Sequence, residues 1–350
     1  MSVARKVIIL FPLLVLLSAC TFQAPSGHTL LAVSSGQQQE PFLLLTDWRT
    51  ARERNTAVTG GGKEDAFYFL IKGENRILAL DRTGSWRLIA SDGSESARGS
   101  LAGEVAAAFD AEREHALVQI GLPPFRYLRW DLERNETESV TPTPPPGQKM
   151  VGGYLALEGD RMAFLVQNLQ GRFQLILFTG NEIQPLVYLP ADFHPVSYRQ
   201  RPPADPSFLS LSPDGRWACL YGDGQPGEGV PLILVDCERG SSNFLIWPLE
   251  RNALPAHLRW SPNSRRLAIS SDFLDGSGSS LVVDLPLKKM EWFDDIAFWL
   301  DSSWLLLCHS SPPGAEYAPP LAARLYNIEN GQNQTLDLSG YSFVWDVMSK

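Results

Sequence analysis

The chain has 350 residues, 44% of them apolar and 20% charged, with a formal net charge of −9. That apolar share excludes a disordered chain, and the acidic balance argues against a nucleic-acid partner, whose phosphates it would repel. Its 28 glycines and 26 prolines suit many short strands joined by turns, and an all-β chain of this length can form one domain.

Residues 1–19 read as a targeting segment. Arg5 and Lys6 are basic, and residues 7–17 form a nearly unbroken apolar run. That run is too short to cross a bilayer core of roughly 30 Å as a helix. Leu17-Ser18-Ala19-Cys20 then resembles the lipobox of bacterial lipoproteins. The resemblance implies cleavage before Cys20, diacylation of its thiol and a short tether over residues 20–28. Thr21 stands where inner-membrane lipoproteins of enterobacteria carry aspartate. The expected location is therefore extracytoplasmic, anchored in an outer membrane or on the outer face of the cytoplasmic membrane. Removal of Arg5 and Lys6 takes the charge from −9 to −11 (−9 − 2), so the acyl chains, not a basic patch, must hold the membrane.

The rest of the chain repeats itself. Copies of one pattern start at Ala66, Val105, Gly153, Phe208, His257 and Ile296. Their spacing of about 40 to 55 residues is that of a four-stranded propeller blade. The clearest copy, residues 208–221, is an apolar run, the turn Ser212-Pro213-Asp214-Gly215 and a second apolar run. Pro213 presets φ, Asp214 can bond its own backbone and Gly215 accepts a positive φ, so a hairpin is expected. A second half recurs as well. Runs ending at Asp131, Asp236, Asp284 and Ile328 precede polar turns and a further strand. Residues 217–220, 267–269 and 304–308 are apolar without alternation, as in strands covered on both faces.

The ends complement each other. Residues 341–347 read as a first strand, while residues 29–33 and 42–45 read as a second and a third. A C-terminal strand pairing with an N-terminal blade closes a ring and removes an open sheet edge. The expected fold is an all-β propeller over residues 29–350, with seven four-stranded blades counting the composite one. Six is the fallback, because residues 49–63 are poorly patterned and residues 142–146 fit a loop between blades.

The turn at Leu209 to Gly215, with a degraded copy from Leu258 to Ser264, is similar to the WD40-like repeat of TolB-type propellers. Only these two copies keep the Ser-Pro pair. The resemblance implies the fold over nearly the whole mature chain and an envelope protein or peptide as partner.

Chemistry is thinly signposted. An odd number of cysteines beyond Cys20 (Cys219, Cys237 and Cys308) cannot form a disulfide framework, and all three are expected to be small buried residues. A hairpin centred near Gln225 would set Cys219 opposite Leu232. Residues 272–278 and 223–229 place carboxylates near glycines but lack an EF-hand ladder. Asp294-Asp295 precedes a first strand near the expected central opening; a divalent ion there competes with a solvated turn. The histidines are scattered, and no Gly-x-Ser-x-Gly elbow, P-loop or GxGxxG motif occurs. Trp260, Trp299 and Trp345 share one column with Phe109 and Leu211, which fits blade-to-blade packing better than an aromatic ligand ring. Residues 192–206, with Arg199 and Arg201, form a long link that could contact a partner. Cys20 is thus the one assigned site, as a lipidation site, with no catalytic, cofactor or metal residue assigned. The expected function is that of a monomeric, membrane-anchored scaffold or protein-binding module; the alternative is a lyase or glycoside hydrolase with an acidic central channel.

Overall fold

The computed structural model describes residues 28–34, 41–47, 52–57, 66–71, 76–81, 83–90, 94–101, 105–109, 114–120, 126–140, 142–180, 182–196, 208–223, 229–247, 255–271, 278–285, 289–309, 321–338 and 343–349. The expected signal segment, Cys20 and the tether up to residue 27 lie outside them, as do Arg199 and Arg201.

The described residues form strands joined by turns. The first three are β1 (His28–Ser34), β2 (Pro41–Asp47) and β3 (Arg52–Ala57). Six blades of four consecutive strands follow. They are β4 (Ala66–Ile71), β5 (Arg76–Asp81), β6 (Ser85–Ile89) and β7 (Glu95–Ser100); and β8 (Val105–Phe109), β9 (His115–Ile120), β10 (Arg126–Asp131) and β11 (Glu136–Ser139). Then come β12 (Gln148–Glu158), β13 (Arg161–Asn168), β14 (Phe173–Thr179) and β15 (Glu182–Tyr188); and β16 (Leu209–Leu211), β17 (Trp217–Tyr221), β18 (Val230–Asp236) and β19 (Ser241–Trp247). The last two blades are β20 (Pro255–Trp260), β21 (Arg266–Ser271), β22 (Ser279–Asp284) and β23 (Lys289–Phe293); and β24 (Ile296–Trp299), β25 (Trp304–His309), β26 (Leu321–Asn327) and β27 (Asn333–Leu338).

The final strand, β28 (Phe343–Ser349), returns to β1 and makes a further sheet in the order β28-β1-β2-β3. Leu31 faces Val347 and Leu30 faces Met348 in that antiparallel pair. The chain ends therefore close the ring as the sequence led us to expect. Around the axis, β28 lies beside β4 and β24, and β8, β12, β16, β20 and β24 succeed one another. The blade of β4–β7 packs on that of β8–β11 through one apolar cluster containing Trp86 and Trp130.

The turns explain why the strands stop where they do. In three blades the residue ending the third strand, and in the blade of β4–β7 the residue ending the second, is Asp or Asn, and its Oδ1 accepts backbone N–H bonds from the turn that follows. Asp81 receives Thr83 and Ser85, Asp131 receives Glu133 and Arg134, Asp236 receives Glu238 and Arg239, and Asn327 receives Glu329 and Asn330. A short Asx side chain satisfies the first orphan donors of a tight turn. The other hairpin end repeats too: Gly215 N–H donates to Ser212 O at 2.7 Å, and Ser264 N–H donates to Ser261 O at 2.8 Å.

Burial is greatest in the second and third strands. Every residue of β17 is buried, as are residues 267–271 of β21 and 304–308 of β25. The core lies between blades. Aromatic pairs bridge neighbours: Trp86 to Trp130 at 5.0 Å, Trp247 to Trp292 at 4.9 Å and Phe293 to Tyr326 at 5.1 Å between centroids. The fully buried rings among them, Trp130 and Trp247, contribute roughly 1.5–3 kcal/mol each.

One expected register is wrong. Cys219 pairs with Leu234, and Leu232 faces Tyr221. The pairing is therefore centred between Pro226 and Gly227; a shift of two residues keeps every side chain on its face, so the apolar pattern does not choose between the two registers. Residues 142–146 do form a link between blades, from β11 to β12.

Candidate interaction surface

Asp295, in the turn from β23 to β24, is tied down from three sides. Arg324 of β26 donates to its Oδ2 from Nη2 at 2.9 Å and from Nε at 3.2 Å. His309 Nδ1 stands 4.0 Å from Oδ1 and 3.5 Å from the carbonyl of Asp294. Below, Ser280 donates from Oγ to the Asp295 carbonyl at 2.7 Å and accepts the Ala297 N–H at 2.9 Å. The Asp295 carboxylate, where the sequence set a divalent ion against a solvated turn, is thus paired with a guanidinium and helps join one blade to the next. Among the described residues no group of three or more His, Cys, Asp or Glu side chains is placed to hold a metal. Of the two acidic loops, residues 272–277 and 224–228 lie outside the described residues.

The tryptophan column stitches inner strands together. Trp260 of β20 donates from Nε1 to Ser210 Oγ of β16 at 3.1 Å. One blade further on, Trp299 of β24 donates to the Arg259 carbonyl of β20 at 3.0 Å. Leu211 of the same column is buried in β16. Both indoles spend their polar edge on the preceding blade, which is the packing role expected of them.

A second series of links runs along the turns between first and second strands. Arg129 meets Asp160 at 2.9 Å, and Arg161 donates to the Asp214 carbonyl at 2.7 Å. Asp214 N–H donates to Ser264 Oγ at 2.9 Å, and Arg266 donates to the Ser302 carbonyl at 3.0 Å. The series joins five successive blades, so the disc is tied at its turns as well as through its core. Cys219, Cys237 and Cys308 are all buried. Burial pushes the Cys219 and Cys237 thiols up to about 12, Cys237 with help from the neighbouring Asp236 carboxylate, and raises Cys308 as well.

What the disc leaves uncovered is at its outer rim. Leu169 apart, the large apolar side chains exposed among the described residues are Ile183 and Tyr188 on β15, Phe244 and Ile246 on β19, and Met290 on β23. These are the outermost strands of three consecutive blades.

The chain is a β-propeller. No protein-family model matches it, and no curated protein does. Solved structures do. A protein from Lactobacillus plantarum matches with a TM-score of 0.54 and 13% identity over 92% of this chain and 98% of its own. An oligogalacturonate lyase in complex with manganese matches with a TM-score of 0.51 and 12% identity over 90% of this chain and 89% of its own. A putative TolB from Agrobacterium tumefaciens reaches 0.44 at 15% identity over 79% and 89%. At such identities the likeness shows the fold alone, because one propeller scaffold hosts many unrelated functions.

The exposed rim of this propeller escaped sequence reasoning. Residues 244–247 read in the sequence only as one apolar run. Trp247 is fully buried, but Phe244 is 50% exposed and Ile246 48% exposed. Side chains alternate across a strand, and at the wide end of a wedge-shaped blade one of the two faces meets solvent.

Proposed function

We propose that this chain is a lipid-anchored, extracytoplasmic propeller that serves as a protein- or peptide-binding module of the cell envelope. The observation that carries the binding role is the apolar rim. Large apolar side chains exposed on the outer strands of three consecutive blades offer another chain a surface to bury. The anchor rests on Leu17-Ser18-Ala19-Cys20. An acyl chain on Cys20 holds the disc near the bilayer, since residues 21–28 span about 27 Å at full extension. The lyase or glycoside-hydrolase alternative has no specific observation in its favour, because Asp295 is committed to Arg324.

Two measurements test this reading. Mass spectrometry of the membrane fraction is expected to find diacylated Cys20, and Cys20→Ala to release the protein; an unmodified cysteine on a secreted protein overturns the anchor. Photo-crosslinkers placed at Met290 and Phe244 in intact cells are expected to capture a discrete protein partner, whereas crosslinks to none at either position overturn the binding role.

A further inference from the structure

Outer strands of open sheets carry a row of unpaired backbone N–H and C=O groups, and proteins guard them with charges or proline. Six of the seven outer strands here follow that rule. β3 has Arg52, Glu53 and Arg54, β7 has Glu95 and Arg98, and β11 has Glu136 and Glu138. β15 has Glu182 and Pro185, β23 has Lys289 and Glu291, and β27 has Asp337. β19 reads Ser-Ser-Asn-Phe-Leu-Ile-Trp and has no guard at all. All seven of its residues pair with β18 without a register shift, the longest uninterrupted pairing of an outer strand here; β3, β11, β23 and β27 are equally regular but guarded, and β15 and β7 are interrupted. No strand pairs with its outer side among the described residues.

We infer that β19 is the docking edge of the propeller: an extended, uncharged apolar segment of a partner protein, flanked by basic residues, adds to it as a fifth strand. The inference rests on the binding role proposed above and names the surface and the partner's chemistry. Main-chain bonds along the open edge supply affinity, and side chains at alternate positions of the guest pack beside Phe244 and Ile246, which lie two residues apart on one face. Asn243 and Ser241, both exposed on the other face, tolerate polar guest residues there. Charge decides the flanks. An acidic body, −9 over the full chain and −11 (−9 − 2) without Arg5 and Lys6, repels an acidic peptide and attracts a basic one, while the strand itself offers nothing to oppose either sign. The same net charge disfavours a second copy of this chain as the occupant.

The test uses the whole mature propeller and a fluorescein-labelled peptide of alternating valine and threonine with lysines at both ends. Saturable binding by fluorescence anisotropy is the expected result, weakened about tenfold or more by Ile246→Lys or Phe244→Lys, which put a charge on the edge. Replacing the flanking lysines with glutamates weakens it as well, and N-methylation of one alternate set of peptide amides abolishes it. Glu138→Lys on β11 leaves binding unchanged. Unaltered circular dichroism and melting confirm that each variant folds, and Ser242→Lys substitutes where one does not. The inference is overturned by absence of saturable binding, or by binding indifferent to the β19 variants. It is equally overturned if sedimentation shows a dimer that Ile246→Lys dissociates, since a second copy then covers the edge. Cellular crosslinks that persist from Met290 while the peptide fails would sink this docking edge and leave the wider binding role standing.

Discussion

Arg161 lies across Gly215. Its guanidinium donates to the Asp214 carbonyl at 2.7 Å, and a Cβ added at Gly215 would fall on Nη1 and come within 2.7 Å of Cδ. Gly215 has φ +66°, so the same glycine answers two demands: the left-handed turn and the passage of a neighbouring blade's arginine. Gly215→Ala is expected to cost about 2 kcal/mol or more in urea unfolding. Arg161→Ala removes the obstruction, so the double variant should lose less than the sum of the two single losses. Strict additivity would show that the two blades do not communicate through this turn.

Trp299→Phe keeps the buried ring and removes the donor to the Arg259 carbonyl. A loss of about 1–2 kcal/mol is expected from calorimetry. Trp260→Phe, whose partner is the Ser210 hydroxyl, should cost less, because this half-buried hydroxyl oxygen can accept from water instead. Equal or negligible losses would contradict a stitching role for the column.

Ser280→Ala removes the donor to the Asp295 carbonyl and leaves the buried Ala297 N–H only its longer bond to Ser270 Oγ at 3.4 Å. Destabilisation of about 1–3 kcal/mol is expected. Ser280→Cys, of similar volume but weak hydrogen bonding, should recover little of it.

The buried thiols set the alkaline limit. Cys219 and Cys237 rise from an ordinary 9.0 to about 12 on folding, so the folded state keeps protons that the unfolded chain releases. Their contribution to stability is therefore complete below pH 9 and falls as pH rises from 9 towards 12. The melting temperature is expected to drop steeply across that window, and Cys219→Ala together with Cys237→Ala should flatten the drop. At neutral pH, iodoacetamide should label neither thiol until the chain unfolds; rapid labelling of the native protein would contradict their burial.

The legible parts of this fold are those where chemistry forces the backbone. Ser212-Pro213-Asp214-Gly215 was readable because each residue type suits one position: Ser212 Oγ accepts the Trp217 N–H at 2.9 Å and donates to Asp214 Oδ1 at 2.6 Å. The apolar runs of β17, β21 and β25 were readable because both faces are covered. β3, Arg-Glu-Arg-Asn-Thr-Ala, was not, since an outer strand needs no apolar pattern and residues 49–63 are poorly patterned for that reason. The arginine links were invisible because Arg161 and Arg266 bond carbonyl groups, which every residue carries. The β19 rim was half legible: its lack of charge stands in the sequence, but its place at an open edge follows only from the blade order.

Ring closure by the two ends of the chain underlies the rigid disc, its rim and everything proposed to dock there. Paired cysteines at Leu31 and Val347, and separately at Leu30 and Met348, test it directly, because those residues face each other across β1 and β28. Mild oxidation of the folded protein is expected to link at least one pair within a single chain, giving a reducible change in gel mobility and a higher melting temperature, with the buried native thiols inert. Failure of both pairs to link internally, or linkage only between chains, would contradict the closed ring.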